Sequence, residues 1–393
     1  MKPVIVSGYR TPIGKYNGIF KNCSSAFLGG LTIKKIFEQS AINPSDVDTV
    51  IMGNVLSAGL GQNVAKQAAI LGGFPFEIDA FQVNMVCGSS LKAIQLGAQM
   101  IKSGDADIIV SGGMESMTNT PYLTKKDDYH NKSTELNFID SMITDGLWDV
   151  YSDFHMGMTG ELIAEKYKIT REECDLISLK SHQKANNATK SGKFLKEIVT
   201  VEISSPDGSK VSIDKDQGIR EDTNLEKLSK LQPIFKTDGV LTAGNSSQIS
   251  DGAAAVLIMS EEKAKCYGME PIASIRGYRS DGIESNRIME APIFNVRRLL
   301  KDLNLSLEDI DLIEHNEAFS SSTVAFMKAL ELDEKFVNIH GGAIALGHPI
   351  GATGARIIVT LIHAMQDRDV PLGLATLCIG GGNALSMVLD REI

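Results

Sequence analysis

The chain has 393 residues, 43% of them apolar and 22% charged, with a formal net charge of −10. That length can bury a large core and suits two or three domains, and the composition excludes a disordered or fibrous chain. The acidic balance argues against nucleic acid as a partner and against whole-molecule steering of anionic ligands.

The first six residues, Met1-Lys2-Pro3-Val4-Ile5-Val6, run straight into a strand-like segment with no signal or transit pattern, so a cytoplasmic protein is expected. The longest uninterrupted apolar run, residues 253–259, is too short to span a bilayer, and no membrane partner is expected. Residues 43–54 begin polar, pass through Asp46-Val47-Asp48 into an apolar run and end on Gly53-Asn54. Cys87 then opens a helical stretch with Leu91, Ile94, Ala98 and Ile101 on one face and Gly104 at its end, followed by a strand over 107–110 and Gly112-Gly113.

From 119 to 244 the character changes. Residues 121–137 are polar and charged and predict an exposed excursion, and residues 206–236 mix charges without an apolar period and predict irregular surface. Between them Thr170-x-x-Glu173 is a capping box, with Ile169 and Cys174 at the positions of a hydrophobic staple. The rhythm of 43–54 then returns at 306–317, with Asp309-Ile310-Asp311 ahead of an apolar run. A helix over about 351–365, a strand over 372–377, Gly380-Gly381-Gly382 and a last strand over 384–389 repeat the order of the first half. The chain therefore divides into one half of residues 1–118 plus 245–270, an inserted segment of 119–244 and a second half of 271–393. Alternating strands and helices imply an α/β fold with sheets covered by helices.

Five cysteines, Cys23, Cys87, Cys174, Cys266 and Cys378, are odd in number and widely spaced, which fits free thiols in a reducing compartment. There is no Cys-x-x-Cys or His-Glu-x-x-His, so no metal site is expected. Cys87, in Asn84-Met85-Val86-Cys87-Gly88-Ser89-Ser90, stands where a helix N-terminus lowers a thiol from its ordinary value of about 8.5, and a substantial thiolate fraction is expected there. An isolated cysteine is more often a buried structural thiol. Cys378 before three glycines, Asn316 in His315-Asn316-Glu317-Ala318-Phe319 and His348 in Gly347-His348-Pro349-Ile350-Gly351-Ala352-Thr353-Gly354 are the company that raises Cys87 above that reading. The glycines and Pro349 hold His348 rigidly, as a general base requires, whereas Glu317 has no second carboxylate in a comparable turn. Gly341-Gly342 and Gly380-Gly381-Gly382 fit no nucleotide-loop spacing and read as backbone donors near a reacting carbonyl. Two thiols, an imidazole and an amide suggest acyl-thioester chemistry.

Arg10-Thr11-Pro12-Ile13-Gly14-Lys15, residues 84–90, Thr242-Ala243-Gly244-Asn245-Ser246-Ser247 with Asp251-Gly252-Ala253, and the Asn316, His348 and Cys378 segments resemble the signatures of the thiolase family, in family order over essentially the whole chain. His155-Met156-Gly157 followed by Thr159 resembles the short-chain acetoacetyl-CoA enzymes more than the longer-chain ones, while Met158, Gly160 and Asn383 depart from the usual pattern. The resemblance implies two duplicated βαβαβαββ halves in five layers with an inserted loop domain. It also implies a homodimer or homotetramer, and the excursion after Pro121 resembles a tetramer-forming loop.

The implied reaction is a reversible ping-pong condensation of two acetyl-CoA to acetoacetyl-CoA and CoA. Cys87 would carry the acetyl group, His348 would deprotonate Cys87, and Cys378 would take a proton from the second acetyl-CoA. Asn316 would hold a water that, with His348, binds the enolate oxygen, and the N–H groups of Cys87 and Gly380 would bind the oxyanion. Leu147, His155, Met156, Arg220, Phe235, Ala243, Ser247, Ala318 and Phe319 match coenzyme A-lining positions. Coenzyme A thioesters are substrates, and no cofactor is implied. Three other readings stay open: a longer-chain 3-ketoacyl-CoA thiolase, a β-ketoacyl synthase-like enzyme, in which histidine typically replaces the second cysteine, and a non-catalytic acyl-CoA-binding protein, which should have lost one of the four groups.

Overall fold

Strands covered on both faces read as continuous apolar runs rather than alternating ones, and the central strands here follow that rule. The computed structural model describes residues 1–126, 137–204 and 209–392. In the first half Pro3–Arg10 (β1), Ser25–Glu38 (α1), Thr49–Gly53 (β2), Val64–Leu71 (α2), Asp79–Val83 (β3), Ser89–Ser103 (α3) and Ile108–Ser116 (β4) precede the inserted segment, and Ser250–Ser260 (β5) follows it. The inserted segment carries Gly157–Lys166 (α4) and Arg171–Lys190 (α5). The second half contains Ala273–Gly282 (β6), Ala291–Asp302 (α6), Leu312–His315 (β7), Ser320–Leu330 (α7), Thr353–Arg368 (α8), Leu372–Ile379 (β8) and Asn383–Asp390 (β9).

The strand order is β3-β2-β4-β5-β1 in the first half and β7-β8-β9-β6 in the second. The two runs join only through Val4↔Ser274 and Ile5↔Ala273, and each joining strand has a bulge just beyond that pair. A bulge disrupts a ladder locally and sharpens its twist. Helices α3 and α8 pack between the sheets. Leu91, Ile94 and Ile101 of α3 and Ile357, Ile358 and Leu361 of α8 share one core with Ile51, Ile109 and Ile258 of the first sheet and Ala375, Leu377 and Met387 of the second. Val50 and Met52 point the other way from Ile51, into a core with Leu28 and Ile33 of α1 and Ala65 and Ala68 of α2. Val296 and Leu299 of α6 and Phe326 of α7 cover Leu374 and Val388 on the outer face of the second sheet. The layers are therefore helix, sheet, helix, sheet, helix, as expected.

The second half departs from the βαβαβαββ pattern at its third strand, which shrinks to the single bridge Ile313↔Val337. Asn338 follows with φ +46, which leaves extended geometry, and its side chain caps the N–H of His315 instead of continuing a ladder. Gly112 and Gly113 do not end a strand, because β4 continues through them to Ser116. A Cβ on Gly113 would lie 2.1 Å from the Gly351 carbonyl, so this glycine lets the second half approach.

In the inserted segment the capping box of α5 forms as expected. Residues 206–236, expected to be irregular, include half of a hairpin (Val201–Ser204 with Lys210–Ile213) and the short helix Leu225–Ser229; residues 205–208 lie outside the described residues. Most of the excursion after Pro121 also lies outside them, with Tyr122 and Phe138 exposed at its flanks. Among the described residues no helix is long and apolar enough to cross a membrane, and no group of three metal-ligating side chains gathers.

Candidate active site

Cys87 lies two residues before the first helical residue of α3, in a turn built to present it. Val86 is held at φ +46, which a β-branched residue adopts only under constraint. Ser89 supplies that constraint: its hydroxyl accepts from the Met85 N–H at 2.9 Å and donates to the Val86 carbonyl at 2.6 Å. Gly88 gives room for Ile379, whose Cδ1 would lie 2.4 Å from a Cβ there, so the loop before α3 rests against the end of β8. Strain of this kind clusters at functional sites.

The thiol itself corrects the sequence-based expectation. Burial pushes Cys87 up to about 11, hydrogen bonds from the N–H of Gly380 and of Cys87 oppose the rise, and the Glu115 charge adds to it. Desolvation outweighs the two N–H groups, so the resting group is a thiol. Cys378, on β8, is buried, and its Sγ donates to Met289 Sδ at 3.7 Å. Burial, and then the neighbouring Cys87, hold Cys378 well above the ordinary thiol range.

His348 follows Gly347, whose φ of +113 favours glycine. Its Nδ1 lies 2.6 Å from Thr353 Oγ1 and its Nε2 lies 3.3 Å from Asn316 Nδ2. Burial, then the Arg356 charge, push it down to about 3, so the resting ring is a neutral imidazole. Asn316 is fully buried, and its Oδ1 has no partner among the described residues. Glu317, at φ +59, turns away: it accepts from Ser181 Oγ at 2.5 Å and from the Ile344 N–H at 3.2 Å. Gly341 and Gly342, read from the sequence as backbone donors near the reaction, instead pack there, with a Cβ on Gly342 only 2.4 Å from Glu317.

The two central helices start against each other. A Cβ on Gly354 would lie 2.4 Å from the Leu91 nitrogen, and the Ala355 N–H donates to Ser90 Oγ at 2.9 Å. Their positive ends favour developing negative charge and disfavour an imidazolium. Glu115 clamps the arrangement: its carboxylate accepts from Val55 N, Leu56 N, Asn54 Nδ2 and Gly351 N at 2.9–3.3 Å. Burial still raises this carboxyl to about 7, against those hydrogen bonds. Nothing in the local sequence marks Glu115, because all four donors are distant in the chain.

Several residues expected to line coenzyme A come together. The Phe235 ring stacks on His155 at 5.0 Å and meets Phe319 edge-on at 5.8 Å, and Met156 and Ala318 join the same cluster. The Ser247 N–H donates to the Ala318 carbonyl at 3.0 Å, and the Met156 N–H donates to the Leu147 carbonyl at 2.8 Å. Ala243 is exposed on its turn. Arg220 donates its backbone N–H to His182 Nδ1 on α5 at 3.1 Å, and its side chain is half-buried. A cavity of about 570 Å³ lies beside this cluster, between Val86 and Gly380 on one side and Trp148, Tyr151 and Met156 on the other.

Residues 3–262 match the thiolase N-terminal domain family, and residues 269–391 match the thiolase C-terminal domain family. The chain belongs to the thiolase family. It is 47% identical over 388 residues to a probable acetyl-CoA acyltransferase of Staphylococcus aureus strain COL, covering 99% of this chain and 98% of that protein, and equally similar to the counterpart in strain NCTC 8325. The crystal structure of the Bacillus anthracis acetyl-CoA acetyltransferase superposes with a TM-score of 0.96 at 37% identity, covering 99% of this chain and 98% of that one. In this thiolase the residues with catalytic roles implied by the resemblance stand around the start of α3, the end of β7, the start of α8 and the end of β8.

Proposed function

We propose that this thiolase is an acetyl-CoA C-acetyltransferase, condensing two acetyl-CoA into acetoacetyl-CoA and CoA, and the reverse, through an acetyl group on Cys87. The observation that carries this reading is the junction of the two thiols: the turn that presents Cys87 packs through Gly88 against Ile379, the residue after Cys378, and burial, then the neighbouring Cys87, raise the Cys378 thiol. Cys87 Sγ attacks the thioester carbonyl as His348 Nε2 takes its proton. The N–H groups of Cys87 and Gly380 hold the oxyanion, and the departing CoA sulfur takes the proton of Cys378, which becomes a thiolate while His348 keeps the Cys87 proton on Nε2. The Cys378 thiolate then removes a methyl proton from the second acetyl-CoA, and the resulting carbanion attacks the acetyl carbonyl and frees the Cys87 sulfur, which regains its proton from His348.

A water on the unpartnered Asn316 Oδ1 would, with His348, hold the enolate oxygen. Losing one such donor typically costs about a hundred- to thousandfold in rate. Covalent splitting of the reaction predicts ping-pong kinetics. The His155, Phe235 and Phe319 rings are the proposed bed for pantetheine, with no cofactor in the reaction. A homodimer or homotetramer in the cytoplasm completes the proposal.

The acyltransferase name of the staphylococcal relatives, and the cavity lined by Val86, Trp148 and Met156, favour a second reading, a thiolase for longer 3-ketoacyl-CoAs. Thiolysis rates with acetoacetyl-CoA and a series of longer 3-ketoacyl-CoAs decide between them. Our reading predicts kcat/KM at least about tenfold higher for acetoacetyl-CoA, the scale of discrimination one or two extra methylenes allow. A kcat/KM that rises with chain length would favour the second reading.

A further inference from the structure

The state of His348 is decided by a residue that does not touch the reacting atoms. Thr353, the first residue of α8, is fully buried, and its hydroxyl has two neighbours: the Pro349 carbonyl at 3.0 Å and His348 Nδ1 at 2.6 Å. A hydroxyl has one hydrogen to give. When that hydrogen goes to the Pro349 carbonyl, which can only accept, an oxygen lone pair faces the ring. In that arrangement Nδ1 carries the imidazole hydrogen, which leaves Nε2 bare.

The other side of the ring demands the same. The group facing Nε2 is Asn316 Nδ2, which can only donate. The opposite tautomer would set the Nε2 hydrogen against the Asn316 amide hydrogens and take the Thr353 hydroxyl from the Pro349 carbonyl, which would keep only the N–H groups of Ala352 and Thr353, at 2.8 and 3.0 Å. Among the described residues no carboxylate hydrogen-bonds the ring, and the charged group acting on it is Arg356, one turn along α8. We infer that Thr353 is a positioning residue of this site, fixing His348 as the Nδ1–H tautomer so that Nε2 is always the acceptor for the Cys87 proton. This inference rests on the proposed role of His348 as the base for Cys87. It gives the hydroxyl the part that a carboxylate plays in hydrolase triads, where the wrong tautomer is far slower. The bond persists when Nε2 is protonated, so the proton can pass through Nε2 and back without the ring turning.

Alkylation of Cys87 by iodoacetamide, followed by peptide mass spectrometry, tests this without any thioester. Thr353→Val keeps the shape and removes the hydroxyl, and should slow alkylation at pH 7 by about 10–100-fold, the usual loss for an outer partner that orients an imidazole. Thr353→Ser should recover most of the rate. As pH rises toward the thiol's value of about 11, hydroxide replaces the base and the deficit should close; Glu115, whose charge acts on Cys87 and which is itself raised to about 7, ionises over the same range in parent and variants alike, so the ratio of their rates is the quantity to compare. The urea midpoint and the CoA Kd from calorimetry should remain those of the parent; if the valine disturbs them, Thr353→Ala carries the same comparison. Normal alkylation of the hydroxyl-less variant at pH 7, a serine variant as slow as the valine one, or a deficit undiminished at pH 10 would overturn the inference. A protein that shows the Thr353 effect but does not cleave acetoacetyl-CoA would overturn the proposed reaction and leave this inference standing.

Discussion

Arg10 ties the first strand to the inserted segment, and its removal should be felt in stability and in coenzyme A binding together. Its guanidinium is fully buried, gives Nε to Glu197 at 2.6 Å, and takes both oxygens of Asp216 at 2.7 and 2.9 Å while lying 4.9 Å from the Phe194 ring centroid. Burial works against its charge, but Asp216 and Glu197 more than offset that and hold it above the ordinary arginine value. Arg10→Met leaves two carboxylates in the interior, with Thr360 Oγ1 at 3.3 Å as Glu197's remaining side-chain donor. Breaking a buried pair from one side costs about 3–5 kcal/mol. Asp216→Asn is the milder change, because Arg10 keeps Glu197 and an amide oxygen can still accept from the Ile13 N–H, now 2.8 Å from Asp216; about 1–3 kcal/mol is expected. Urea unfolding at fixed protein concentration measures both. Because residues 216–220 lead to Arg220, the KM for CoA should rise more than kcat falls in each variant. An Arg10→Met protein within about 1 kcal/mol of the parent, or an asparagine variant as costly as the methionine one, would refute the buried-charge argument.

Three further outcomes follow from the site. Because His348 is held at about 3, lowering the pH from 8 to 5 leaves it in its base form, so the acylation rate constant in stopped-flow should show no imidazole inflection near 6.5. Cys378→Ala should still accept acetyl on Cys87, slowly because departing CoA needs a proton, yet fail to exchange acetyl-CoA methyl protons with deuterated water, and Cys87→Ala should form no acetyl-enzyme but keep residual exchange; normal exchange in the Cys378 variant would make that thiol structural. Trp148 donates Nε1 to Asp153 at 3.1 Å and lines the cavity beside Gly380, so saturating CoA should change tryptophan fluorescence, and an unchanged spectrum would remove this wall from the site.

The duplication was readable because its signals are local. The Asp-apolar-Asp rhythm at Asp46 and Asp309, the Leu91–Ile94–Ala98–Ile101 stripe and the Thr170–Glu173 box each lie within a few turns of chain, and each forms as expected. The contraction of the third strand to Val337 was not readable, since it depends on a left-handed Asn338 that has no distinguishing neighbour. Glu115, Thr353 and the Arg10–Asp216 pair were missed for a related reason: each is an ordinary polar residue until the fold supplies partners, and Asp216 reads as part of a solvated charged stretch although it is buried. The Cys87 thiol went wrong in the other direction. A helix start is visible in sequence, but the depth at which it is buried is not, and desolvation decided the sign.

The central claim is that Cys87 alone carries the acyl group, and the measurement that tests it most directly is peptide mass spectrometry of the protein quenched in acid after brief exposure to acetyl-CoA. A single acetyl group should appear on the peptide containing Cys87 and disappear when CoA is added before the quench. Acetyl on Cys378, Cys23, Cys174 or Cys266 in place of Cys87, or no acetyl-enzyme under conditions where acetoacetyl-CoA is turned over, would contradict it.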